Sequence, residues 1–114
     1  MIAWVGPLLI ATGVLHAAVG AVLFSEPLAA IVRAGVLNAI GRDLARGLAF
    51  WFMLYGPVLV SLGWLTRHAV ATGDGAALAV VGWSLLGMGV IGAAAIPVSG
   101  FWILIGLALP LVLR

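Results

Sequence analysis

His16 is the one strongly polar ionisable residue in Met1–Phe24, a stretch with no formal side-chain charge. An imidazole held in an apolar helix can relay a proton, bond a ligand or ligate a haem iron axially. The plainer chemistry is a neutral ring bonded to a carbonyl or hydroxyl of a neighbouring helix. Counted back from Phe24, His16 lies about 12 Å below the end of its stretch, at about 1.5 Å per helical residue. Gly13 at i−3 and Gly20 at i+4 share its helix face, which leaves space beside the ring.

A second group of candidates is ionic. Glu26, Arg33, Asn38, Arg42, Asp43, Arg46 and Ser99 fall on one membrane face in the topology derived below. Glu26 and Arg46 can pair where water is scarce. Asp43, three residues before Arg46, can pair with it instead and can also cap a helix start. The functional alternative is a polar cup for an anionic or amphipathic ligand. Arg46 would supply the charge, Trp51 and Trp102 the apolar walls, and His16 the floor. Glu26, Asn38, Asp43 and Ser99 would complete the polar lining. The aromatic residues can equally form a lipid-facing belt.

Other chemistry has less to stand on. His68 lies in a polar turn on the opposite face and reads as exposed. It cannot share an iron with His16 within one protomer, whereas two copies of His16 across a dimer could. No H-E-x-x-H, P-loop, G-x-S-x-G or dinucleotide fingerprint occurs. An enzyme is therefore not the default, and no metal site is expected apart from the haem alternative at His16. No cofactor is specified by these residues. With no cysteine in the chain, disulfides, thiolate metal sites and a cysteine nucleophile are excluded.

The elements that must position these groups follow from composition. The chain is 66% hydrophobic and only 7% charged, where a soluble domain carries about 25% charged residues. A protein of 114 residues leaves much of its surface in contact with solvent, so the solvent expected here is lipid. The net charge of +2 comes from five arginines against three acids. No charge run exists to bind nucleic acid. The length suits a single domain, 1–114.

The first span is read as 2–24. It lacks a leading basic residue and exceeds a signal-peptide core of about 7–15 residues, so it reads as a retained span. Residues 26–41 suit a short interfacial helix, started at Pro27 and ended by Gly35 and Gly41. The second span, 44–65, follows the Asp43 cap and should kink at Tyr55-Gly56-Pro57. Thr66 to Gly75 is a polar connection. The rest of the chain to Leu113 is uncharged and, as one helix, would be about twice the thickness of the hydrocarbon core. It must therefore break, at Pro97-Val98-Ser99-Gly100, into spans 76–96 and 98–113. The expected fold is thus an all-α membrane protein, four antiparallel transmembrane helices plus one interfacial helix. Small residues at Gly13, Ala17 and Ala21, at Gly56 and Gly63, and at Gly82, Gly89 and Ala93 suit close helix packing or a homodimer face. The arginine balance leans toward a cytoplasmic first connection and periplasmic termini.

Several motifs together resemble a family of small, uncharacterised four-span bacterial membrane proteins. They are Gly13-x-x-His16-x-x-x-Gly20, Asn38-x-x-Gly41, Asp43-x-x-Arg46-x-x-Ala49-Phe50-Trp51-Phe52 and Pro97-x-Ser99-Gly100-Phe101-Trp102. The resemblance covers nearly the whole chain, and the Arg-to-Phe-Trp-Phe block is its most specific part. It implies four helices and a multi-pass location in the bacterial inner membrane, and no reaction. By architecture alone the chain is also similar to DoxX-like four-helix proteins. It matches small multidrug-resistance transporters in length and span count, but lacks their carboxylate inside the first span.

Three functions fit these readings. The first is a non-enzymatic, dimeric membrane protein that binds a lipid-like or small amphipathic molecule in the cup. The second is a small dimeric proton-coupled transporter working through His16. The third is a haem- or quinone-binding redox protein.

Overall fold

The computed structural model describes residues 2–114, and within them the regular structure is entirely helical. Five helices follow in order: α1 (Val5–Leu23), α2 (Ser25–Arg33), α3 (Leu44–Thr72), α4 (Gly75–Ala95) and α5 (Phe101–Val112). Three of them, α1, α3 and α4, are long and apolar enough to cross a membrane; α5 is a shorter apolar helix. An apolar helix of about 20 residues matches a hydrocarbon core about 30 Å thick, and this makes the chain a membrane protein by composition and length.

The helix ends have local causes. Pro7 falls in the first turn of α1, where backbone N–H groups have no intrahelical acceptor and a missing one costs little. The helix in the stretch expected to be interfacial, α2, is shorter than the expected 26–41. It stops at Arg33 because Gly35 adopts φ +88. Gly35 N–H donates to the Val32 carbonyl and Val36 N–H to that of Ile31. That pair of bonds is a glycine stop, in which a left-handed residue lets the chain turn back on its own last carbonyls.

The same device ends α3. That helix runs through Thr72 rather than stopping near Leu65, so Arg67 and His68 lie on helix and not in a turn. Gly73 has φ +67, and Asp74 N–H donates back to the Ala69 carbonyl. Asp74 then starts α4, its Oδ1 accepting from Ala77 N–H at 2.9 Å. The connection between the two helices is therefore two residues long. Pro57 lies inside α3, which continues through it. The expected break is present as residues 96–100, which are not helical.

The chain divides into two compact units. Residues 2–10 and Leu62–Arg114 form one. Its core is Val5, Leu9, Leu78, Val81, Leu85, Leu104, Leu107 and Leu111, with Thr66 buried and donating to the Leu62 carbonyl at 2.7 Å. Here α4 packs along α5. A Cβ on Gly82 would lie 2.8 Å from that of Leu111, and one on Gly89 would lie 2.7 Å from Ile105 Cγ1. The ring of Phe101 covers Gly92. The small-residue face of α4 is thus occupied by α5 of the same chain. Gly6 and Gly63 also meet: a Cβ on Gly63 would sit 2.7 Å from the Gly6 carbonyl.

At the open end of this unit Arg114 ties α5 to α4. Its Nε donates to the Leu111 carbonyl and its Nη2 to the Gly75 carbonyl, both at 2.9 Å. Arg114→Ala should free the last turn. A charged hydrogen bond at a solvated site contributes about 1 kcal/mol, so amide exchange at Val112 and Leu113 should rise about fivefold.

The second unit, Ala11–Ser61, contains the remainder of α1, all of α2 and the first half of α3. Ile31, Ala39, Ala49 and Leu59 are its buried apolar residues. Here α1 and α3 touch almost backbone to backbone. A Cβ on Gly13 would lie 2.6 Å from the Gly56 carbonyl, and one on Gly56 would lie 3.2 Å from the Ala17 Cβ. Contact this close is how helices associate in lipid, where burying apolar surface gives no net gain.

Candidate functional site

His16 sits midway along α1 and turns toward α3. Its Nε2 lies 2.7 Å from the Phe52 carbonyl oxygen. A carbonyl only accepts, so Nε2 carries the proton, and in the neutral ring Nδ1 is the acceptor. The imidazole also stacks on the Phe52 ring, with centroids 3.9 Å apart and planes 17° from parallel. Tyr55 meets it edge-on at 5.5 Å, and the Phe24 ring lies tilted against Phe52 at 5.0 Å. The ring is thus fixed by a cross-helix bond and by aromatic contact on its face.

Pro57 has no N–H, so the Met53 carbonyl four residues earlier loses its usual donor. The bond made by His16 falls on the Phe52 carbonyl beside it, whose usual helical donor is Gly56 N–H, so His16 is an added donor there and not a replacement for the missing one.

The space expected beside the ring is filled. A Cβ on Gly20 would lie 2.6 Å from Met53 Sδ and 2.7 Å from Phe52 Cδ1; one on Gly13 would meet the backbone of Gly56 and Val60. Both glycines admit α3, not a ligand. What His16 retains is Nδ1. No protein group bonds it among the described residues, and the buried polar atoms there all have partners, so this nitrogen is accessible.

The ionic residues divide by role. Asp43 Oδ1 accepts from Arg46 N–H at 3.1 Å, which is the expected cap of α3. Its Oδ2 lies 3.5 Å from Arg46 Nε. Arg46 Nη1 donates to the Ala39 carbonyl at 2.7 Å. The partner of Arg46 is therefore Asp43 rather than Glu26, and its guanidinium also holds the turn before α3. Asp43→Ala should lower helix stability by about 1 kcal/mol, and Asp43→Asn, which keeps the cap, by less; thermal melts in detergent followed by circular dichroism would separate the two.

Glu26 is exposed in the first turn of α2, where a carboxylate is favoured by the helix dipole. Asn38 holds a left-handed conformation, φ +53, in the loop before α3. Trp51 is 70% exposed and meets Phe50 edge-on at 5.6 Å, which suits a lipid-facing belt.

Ser99 and Trp102 belong to the other unit and shape the break between α4 and α5. Ser99 Oγ accepts from Phe101 N–H at 3.3 Å, and Trp102 Nε1–H donates to the Pro97 carbonyl at 2.9 Å. His68 is exposed on α3, and the neighbouring Arg67 guanidinium stacks 4.6 Å from the Trp64 ring centroid.

Phe52, Tyr55 and the Ala39 carbonyl were not legible as partners of His16 and Arg46. One signal was available. Gly6, Gly13 and Gly20 repeat at the interval that separates Gly56 from Gly63. Setting Gly13 against Gly56 brings His16 opposite Phe52 and Met53.

An apolar, helical chain with these motifs belongs among small membrane proteins to which no reaction is assigned. Residues 1–114 match the model of the family of unknown function DUF6463, and the chain belongs to that family. Searches of the curated proteins and of the solved structures each returned no match.

Proposed function

We propose that this protein is a four-span, antiparallel integral membrane protein that binds a lipid-like or small amphipathic molecule on its Ala11–Ser61 unit. The observation that carries the ligand is the orientation of His16. Its Nε2–H is held by the Phe52 carbonyl, so Nδ1 offers a directed acceptor at a half-buried position between apolar helices. An acceptor left without a donor in such surroundings is costly, and intramembrane ionisable groups are functional candidates by default. A hydroxyl or amine at the head of an amphiphile supplies the donor, while its apolar body suits the exposed flanks of α1 and α3. Arg46 and Asn38 serve an anionic or polar head at the loop before α3.

The fourth span is supported by the reach of α5. Its first residue covers Gly92 of α4, and Arg114 just beyond its end bonds the Gly75 carbonyl where α4 begins. With 12 residues α5 thus lies along α4 from Gly92 to Gly82, and the Arg114 side chain carries the contact on to the start of α4.

The test is quantitative lipid and metabolite mass spectrometry on purified protein. The wild type should retain a donor-bearing amphiphile at about one per chain. His16→Phe, which keeps an aromatic ring against Phe52 but removes Nδ1, should lose most of it with helix content unchanged. Equal retention by the wild type, His16→Phe and Arg46→Gln contradicts the reading, as does a wild type that retains nothing.

A further inference from the structure

The loop between α2 and α3 presents apolar side chains and arginines together. Leu37 and Leu44 are each 89% exposed, and Val36 is more than half exposed. Arg33 and Arg42 flank Val36 and Leu37, with Leu44 opening α3 just beyond, and both arginines are exposed and without an ion pair among the described residues. The one acid in the stretch from Arg33 to Arg46, Asp43, is engaged by Arg46.

The loop is also held in a demanding shape. Gly35, Val36, Asn38 and Gly41 all have positive φ, at +88, +69, +53 and +52. Leu37 N–H donates to the Gly35 carbonyl at 2.8 Å, which closes a three-residue turn about Val36. For a β-branched residue that conformation is strained. The chain thus maintains, against strain and with the Arg46–Ala39 bond as a brace, a turn whose apex, Val36, and next residue, Leu37, are both exposed apolar side chains. Water gives such an apex no reward, whereas the headgroup region of a bilayer does.

We infer that this loop is a docking surface for anionic phospholipid headgroups. Arg33 and Arg42 meet phosphate oxygens as bidentate donors, and Val36, Leu37 and Leu44 enter the glycerol and upper acyl region. A net excess of unpaired positive charge beside exposed apolar side chains is complementary to a lipid with an anionic head. It is not complementary to a free phosphate, which offers nothing to the leucines. The surface adjoins the loop residues Asn38 and Arg46 assigned above to the head of the proposed ligand, but it rests on Arg33, Arg42, Val36, Leu37 and Leu44, none of which takes part in that site.

The experiment is lipid selectivity in mixed nanodiscs of phosphatidylglycerol and phosphatidylcholine, read by native mass spectrometry of the lipids kept on mild release. A basic residue near an anionic surface changes binding by about fivefold. Wild-type protein should therefore enrich phosphatidylglycerol by at least fivefold. Arg33→Gln with Arg42→Gln should bring the enrichment close to one, and the paired lysine variant should retain part of it. Leu37→Ser should weaken retention of both lipids. In a His16→Phe background the double glutamine change should still lower whatever enrichment remains, which separates this surface from the site at His16. Full enrichment in the double glutamine variant would overturn the inference. So would loss of enrichment on adding millimolar inorganic phosphate at constant ionic strength, since the loop would then be an anion site and not a lipid site.

Discussion

Gly13→Val will force α1 away from α3 and lower the stability of the folded protein by about 3 kcal/mol, at the upper end of overpacking costs. The first added carbon would lie 2.6 Å from the Gly56 carbonyl oxygen, 2.8 Å from Val60 Cγ2 and 2.9 Å from Val60 N. Two of these three atoms are backbone and cannot move aside by a change of rotamer. The helices must separate, and His16, three residues on, then loses the Phe52 carbonyl. Gly106→Val is the control. A side chain there meets nothing within 4 Å, so the change should stay within about 0.5 kcal/mol. Unfolding in dodecyl sulfate, followed by circular dichroism, compares the two. Equal shifts at Gly13 and Gly106 would show that α1 and α3 do not rely on this contact.

His16→Ala has the next largest expected effect, about 2 kcal/mol. A hydrogen bond between membrane helices averages about 0.6 kcal/mol, so the bond alone is too small to account for it. Aromatic stacking adds about 0.5–1.5 kcal/mol, and the removed ring leaves unfilled volume beside Phe52 and Tyr55. His16→Phe keeps the stack and should recover about half the loss. If His16→Gln, whose Nε2 can still donate to the Phe52 carbonyl, is as stable as the wild type while His16→Phe is as unstable as alanine, the bond dominates and stacking contributes little.

Much of the architecture was legible because charge and proline mark where helix must leave lipid. The Asp43 cap of α3 and the break after Ala95 follow from the chemistry of one carboxylate and one Pro-Val-Ser-Gly run. Helix lengths were less legible. Arg67 and His68 looked like a turn because they are polar, yet a helix that overshoots the hydrocarbon carries polar residues on its last turns as well. Only Gly73, with its left-handed φ, ends it. The loop after Arg33 looked helical because Val36, Leu37 and Ile40 are apolar. Apolar content cannot distinguish a helix lying in the interface from a strained turn dipping into it. At the candidate site, polar residue types pointed to His16, Asp43 and Arg46, but two of the partners proved to be backbone carbonyls, which every residue has. Side-chain identity carries no signal for those. The glycine register carried one for His16, because in lipid the residues without side chains decide which helix faces meet.

The central proposal is that this chain crosses a bilayer four times; such a topology would put Ser25 and Ser99 on one side and Ala71 on the other. The native chain has no cysteine, so Ser25→Cys, Ala71→Cys and Ser99→Cys each give a single reactive thiol. Labelling with a membrane-impermeant maleimide in sealed, oriented vesicles should mark the variants at 25 and 99 from the same side and the variant at 71 only from the opposite side. Labelling of all three from one side, or without any dependence on vesicle integrity, would contradict the claim.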